Sequence, residues 1–186
     1  MRKIFIIALA CLSASVLVSC ADPALSADYG DTLVYMPQAT HNLGVDNNLE
    51  LTVSASDASK QTHTTLGVYR SGTATKEAFE VDLHVVADTL AKAKALALEP
   101  DAPSKYDIYK TGVLLESKYY ESLPDKISVP AGERQGMVQL VLKDSQIVAD
   151  YPIGQILLLP VRIENPTKYT INEDLAFTMV VVRVAD

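Results

Sequence analysis

The sequence predicts a mainly β protein, an antiparallel β-sandwich of about seven to nine strands with one short helix near residues 88–98. Three observations predict it. Short apolar segments are separated along the chain by turn residues, chiefly Pro, Gly, Asn and Asp. Phe79, Val81, Leu83 and Val85 alternate with Glu80, Asp82 and His84, the period of a strand with one wet face. Gln155 to Glu164 and Leu175 to Val184 are apolar at nearly every position, as central strands covered on both faces are.

Taken in order, the first strand candidate is Thr32 to Met36, stopped by Pro37. In the second, Leu49 to Ser54, Leu49, Leu51 and Val53 alternate with Glu50, Thr52 and Ser54. Thr64 to Tyr69 is the third and ends at the turn Arg70-Ser71-Gly72. After the alternating run at Phe79, the stretch Asp88 to Leu98 is rich in Ala, Leu and Lys, strong helix formers, with Asp88 placed to cap the first turn and Pro100 beyond the end. A Tyr-rich stretch follows, then strand candidates at Lys118 to Leu123 and Lys126 to Val129, broken by Pro124-Asp125. Past Pro130-Ala131-Gly132 the strand pattern resumes, with Val138, Leu140 and Leu142 facing one way, and Asp144 to Asp150 reads as a short helical turn.

The N-terminus has its own logic. Arg2 and Lys3 precede an apolar run from Ile4 to Val18, and small residues lead to Cys20, the three parts of an export signal. The run falls short of the roughly 18 or more apolar residues of a comfortable membrane span. Leu17-Val18-Ser19-Cys20 has the form of a lipoprotein signal, in which the cysteine directly after the small residue is alkylated before cleavage; an ordinary secretory leader cut near Ala14 or Ala21 is the competing reading. The expected organisation is a signal peptide at 1–19, a lipidated tether at 20–30 and one β-sandwich domain at 31–186. Cys20 is the expected lipid attachment site, and the membrane is a partner through that lipid. About ten extended residues of tether reach on the order of 30 Å.

Composition narrows the rest. Both cysteines, Cys11 and Cys20, lie in the leader or at its end, so burial rather than a disulfide must hold the domain together. The formal net charge is -7, and removal of Arg2 and Lys3 makes the chain more acidic still. Such a chain repels phosphate backbones, which excludes nucleic acid as a partner.

Tyr119-Tyr120-Glu121-Ser122-Leu123-Pro124 and Ile127-Ser128-Val129-Pro130-Ala131-Gly132-Glu133, followed by Tyr151-Pro152 and Leu159-Pro160-Val161-Arg162-Ile163, carry a family likeness. With the signal at Cys20 and the strand-helix step at Phe79 to Leu98, the chain resembles the N-terminal immunoglobulin-like domain of unknown function of Bacteroidota surface lipoproteins, adhesin-like and associated with glycan utilisation. The resemblance implies an immunoglobulin-like sandwich, an outer-membrane lipid anchor and an accessory role around glycans. It implies no catalytic residues.

Motif by motif, the chemistry is sparse. Gly67 and Gly72 have the spacing of a phosphate loop, but the lysine is absent and no helix follows. His41, His63 and His84 show no paired ligand spacing. No two carboxylates are singled out as a glycosidase pair, and proline occupies the middle of Asn165-Pro166-Thr167, which rules it out as a glycosylation acceptor. For a calcium-binding sandwich module, the ligands to test are Glu133, Asp144 and Asp150. Tyr106, Tyr109, Tyr119 and Tyr120 are the candidate glycan platform, since sugars stack their C–H faces on aromatic rings; packing of these tyrosines against the sandwich edge is the competing reading. The expectation is a non-enzymatic, lipid-anchored outer-membrane or cell-surface protein with no cofactor, binding a glycan or, alternatively, a protein partner through its sheet edges.

Overall fold

The computed structural model describes residues 32–39, 49–72 and 77–186. The leader, the tether with Cys20, and His41 lie outside the described residues. Among the described residues ten strands form two sheets. They are β1 (Leu33–Tyr35), β2 (Leu49–Ser54), β3 (His63–Arg70), β4 (Phe79–Val85), β5 (Val113–Leu114), β6 (Lys126–Val129), β7 (Gln135–Val141), β8 (Ile156–Glu164), β9 (Thr170–Ile171) and β10 (Phe177–Ala185). One sheet has the order β7-β3-β1-β9; the other has the order β2-β10-β8-β4-β6, with β5 joined to β8. Antiparallel pairing dominates, as expected of a sandwich, but β1 with β9, β2 with β10 and β5 with β8 run parallel.

Between the sheets lies the main core. Val34, Leu66, Val68 and Leu140 meet Val81, Ile127, Leu159, Ile163, Val180 and Val182 there, all essentially buried. The far side of the six-stranded sheet carries a third layer, α1 (Ala87–Ala97) and α2 (Asp107–Thr111). Leu90, Ala93 and Ala97 of α1 and Tyr109 of α2 pack with Leu158, Phe177, Met179 and Val181. This explains the continuous apolar runs of β8 and β10: alternate residues serve the two cores, so both faces are dry. The small residues Ala93 and Ala97 let the helix lie close to the sheet.

Pro160 sits in the middle of β8, a position that normally forbids proline. Its carbonyl accepts from the Val86 N–H on the β4 side, and in a strand the N and C=O of one residue point the same way. On that side β8 pairs with β4 only from Val161 onward and with β5 at Leu157 and Leu158. The missing donor therefore falls in the gap between two partners.

Several expectations are corrected. Residues Ser117–Tyr119 form a 3₁₀ turn, and Tyr120 makes one bridge to Leu142, so Lys118 to Leu123 is not a strand. Helix α1 begins as expected, but Val86 is its N-cap and no side chain caps it; Asp88 lies in the first turn, where its charge suits the helix dipole. Helix α2, β5 and β9 were not foreseen, because elements of two to five residues show no measurable period. Helix α3 (Asp144–Asp150) coincides with the expected turn.

Candidate functional site

The residues singled out from the sequence do not converge on one site, although Tyr106 meets Tyr109 and Tyr119 meets Asp150. Tyr109 is fully buried under α1, where burial pushes its hydroxyl pKa up, and half-buried Tyr106 lies 6.2 Å from it, centroid to centroid. Tyr119 and Tyr120 are 2% and 7% exposed. Tyr109, Tyr119 and Tyr120 are packing elements, which leaves half-buried Tyr106 as a lone ring and the four without a shared platform. Glu133 lies on the turn between β6 and β7, whereas Asp144 and Asp150 stand at opposite ends of α3, about 9 Å apart by helix rise. Among the described residues no group of three or more acidic, His or Cys side chains is placed to hold a metal. Asp144 is instead buried and accepts from the Thr62 N–H and hydroxyl, tying α3 to the residue that leads into β3.

Asp150 accepts a 2.7 Å hydrogen bond from the Tyr119 hydroxyl and lies 3.6 Å from Lys118. The Tyr119 hydrogen bond is the main cause that holds its carboxyl below the ordinary value; desolvation opposes it, and the charge and hydrogen bond of Lys118 add to it. Because the folded-state pKa is depressed, this tie stabilises the fold above the ordinary carboxylate pKa of about 4 and is lost as pH falls through the folded value. In the variant Tyr119→Phe, the Asp150 carboxyl should titrate closer to its ordinary range, a shift read by NMR; an unchanged Asp150 titration would refute the tie.

Two surfaces differ sharply in charge. On the outer face of the six-stranded sheet, where the helices do not reach, Glu80, Asp82 and His84 of β4 stand beside Lys126 of β6 and Arg162 and Glu164 of β8. They form a network with Lys126 at 3.6 Å from Glu80 and Arg162 at 3.2 Å from Glu164. Next to it, a cleft of about 500 Å³ is lined by His84, Ser117, Tyr120, Ser122, Asp125 and Lys143 among others.

The outer face of the four-stranded sheet is the opposite. Val34, Leu66, Val68 and Leu140 point into the core, so strand alternation turns Leu33 and Tyr35, then Thr65, Gly67 and Tyr69, then Gln135, Met137 and Gln139 outward. None of the outward-facing residues of β1, β3, β7 and β9 is Asp, Glu, Lys or Arg, in a chain with 16 basic and 23 acidic residues, and the basic side chain among them is His63, exposed at the start of β3 opposite Val141. Register sets the layout. Tyr35 is opposite Tyr69, which is opposite Gln135; two residues along, Gly67 faces Met137, and two further, Thr65 faces Gln139. The rings of Tyr35 and Tyr69 lie 5.5 Å apart at 54°, both half-buried. Met137 is 60% exposed. Gly67 leaves room on the sheet that Met137 and Gln38 partly fill. The Gln38 amide donates to the Thr65 carbonyl at 3.1 Å and accepts from the Gly67 N–H at 3.3 Å, continuing the pairing of β3 after β1 has ended.

Chemically, this face offers two aromatic rings for C–H groups and amide and hydroxyl groups for hydroxyls, with no fixed charge. Sequence reasoning missed it. Tyr35 and Tyr69 are far apart in the chain, and only strand pairing unites them. The available signal was parity: Tyr69 shares the wet phase of Thr65 and Gly67 on its strand.

A family model described as a "-like, N-terminal domain" matches residues 29–170. No curated protein matches the sequence. Among solved structures, the chain is similar to a candidate carbohydrate binding protein from Bacteroides ovatus, with a TM-score of 0.55 and 14% identity over 83% of this chain and 37% of that one. It is similar to a Bacteroides ovatus protein of unknown function, with a TM-score of 0.51 and 16% identity over 85% of this chain and 53% of that one. EndoBT-3987 of Bacteroides thetaiotamicron, solved with a Man5GlcNAc product, aligns with a TM-score of 0.53 and 14% identity over 74% of this chain and 29% of that one. The chain thus spans about half or less of the length of each. At these identities the likeness is one of fold.

Proposed function

We propose, for a chain that belongs to the N-terminal-domain family matched over residues 29–170, that it is a non-enzymatic glycan-binding accessory protein held at the cell envelope by lipid on Cys20. The observation that carries the binding reading is the outer face of the four-stranded sheet, where Tyr35 and Tyr69 sit among uncharged polar groups. The carbohydrate-binding description of one structural neighbour and the glycan product held by another are in keeping with it. The resemblance of the chain to Bacteroidota surface lipoproteins points the same way. Titration of the full-length chain in detergent against a panel of polysaccharides tests the reading; binding to none of them would refute it.

The anchor rests on Leu17-Val18-Ser19-Cys20. Among the described residues no helix is long and apolar enough to cross a membrane. Each buried methylene contributes about 0.8 kcal/mol, and a single acyl chain is marginal, so stable attachment needs more than one chain at Cys20. Cys20→Ala should move the protein from washed membranes into the soluble fraction while its circular dichroism stays unchanged. Retention of the variant in washed membranes would sink the anchor without touching the binding reading.

A further inference from the structure

The charge and dimensions of the sheet face restrict what it can hold. Thr65 and Tyr69 are separated by about 13 Å along β3, and β1 to β7 spans about 10 Å across the sheet, from the rise per residue and the strand spacing. We infer that this face takes a short run of a neutral polysaccharide, about two or three pyranose rings lying along β3. The inference rests on the glycan-binding reading and adds the class of ligand and its path.

The path follows from the register. At one end, the tilted rings of Tyr35 and Tyr69, with Gln135 beside them, receive the apolar face of one sugar. At the other end, Thr65 and Gln139 supply a hydroxyl and an amide for the hydroxyls of another. Between them Met137 rises beside side-chain-free Gly67 and gives a soft apolar contact to the sugar that crosses it. Charge decides the class. A uronate or sulfated glycan brings anions to a face with no lysine or arginine among its outward residues, on a protein of net charge -7. Its carboxylates would trade hydration for hydrogen bonds from neutral amides and hydroxyls, with no lysine or arginine on the face to offset the loss, an unfavourable exchange. A neutral chain has no such penalty.

The test titrates the full-length chain in detergent with three neutral polysaccharides (mannan, xylan and mixed-linkage β-glucan) and two anionic ones (polygalacturonate and alginate). The wild type should bind at least one neutral polymer and bind the anionic ones at least tenfold more weakly. Tyr35→Ala and Tyr69→Ala should each weaken binding tenfold or more, and Gln135→Glu, at an exposed position that spares the core, should weaken it several-fold even where a tyrosine variant fails to fold. Unchanged affinity in folded Tyr35→Ala and Gln135→Glu, with loss instead in His84→Ala or Lys143→Ala at the cleft, would overturn the face while keeping the glycan reading. Equal binding of polygalacturonate would overturn the neutral class. Sedimentation of the same variants covers the remaining occupant: self-association of the wild type that Tyr69→Ala abolishes, with glycan affinity untouched, would assign the face to a second copy of this chain.

Discussion

Leu158→Ala is expected to lower the stability of the fold by about 3 kcal/mol, within the range for a fully buried leucine that leaves a cavity. Leu158 is 0% exposed and packs on the helix side of the six-stranded sheet, level with Val181 of β10 and Leu114 of β5. It shares its cluster with Ala93 and Ala97, and it presses on the position that a Cβ at Gly112 would take. These small neighbours have no reach with which to refill the space, so on their side the cavity should persist even though larger residues such as Met179 share the cluster. Against a total of about 5–15 kcal/mol, the loss is a large fraction. In urea, the midpoint followed by circular dichroism should fall by about 1–2 M with an unchanged slope. Leu96→Ala, at a position 38% exposed on the same layer, should change stability by no more than about 0.5 kcal/mol. If the two variants were equally stable, α1 and α2 would not form a packed layer on this sheet.

Gly136→Val should be the second large effect, by overfilling rather than emptying. Gly136 lies on β7 where the chain has just left β6 for the other sheet. A Cβ there would press into the Ser128 carbonyl oxygen and stand 3.0 Å from Ile127 Cγ2 and Val129 Cγ2. A carbonyl in a strand cannot swing aside as a flexible side chain can, so β6 and β7 must separate. The expected cost is about 3 kcal/mol or more for valine, at the upper end for overpacked sites. Gly132, on the turn between the same strands, is held for another reason. Its φ is +90° and nothing lies within 4 Å of a Cβ, so Gly132→Ala should cost only about 1 kcal/mol, from backbone conformation. Thermal unfolding of both variants checks the contrast, and a Gly136→Val protein as stable as the wild type would show that the two sheets do not approach there.

How far the sequence foretells this molecule depends on the reach of each signal. The alternation at Phe79 and the dry runs of β8 and β10 are local patterns over seven or more residues, and they predict strands with the correct burial, Val85 excepted at 41% exposure. The region from Tyr106 to Leu123 defeats such reading, because α2, β5 and the 3₁₀ turn each end before a period is established. The same limit governs the site. Tyr119 and Tyr120 adjoin in sequence and suggest a platform, yet both are drawn into the core. Tyr35 and Tyr69 become neighbours only through the antiparallel register of β1 and β3, which no local pattern encodes.

Strand β1 is only three residues long, and among the described residues no other strand continues its pairing along β3 on that side. An open row of peptide groups is a template on which another chain can add a strand. The Gln38 amide occupies the Thr65 carbonyl and the Gly67 N–H, one acceptor and one donor of that row. A single side chain thus denies a docking strand its first rung, which disfavours edge-to-edge pairing of this sheet with the same sheet of another copy.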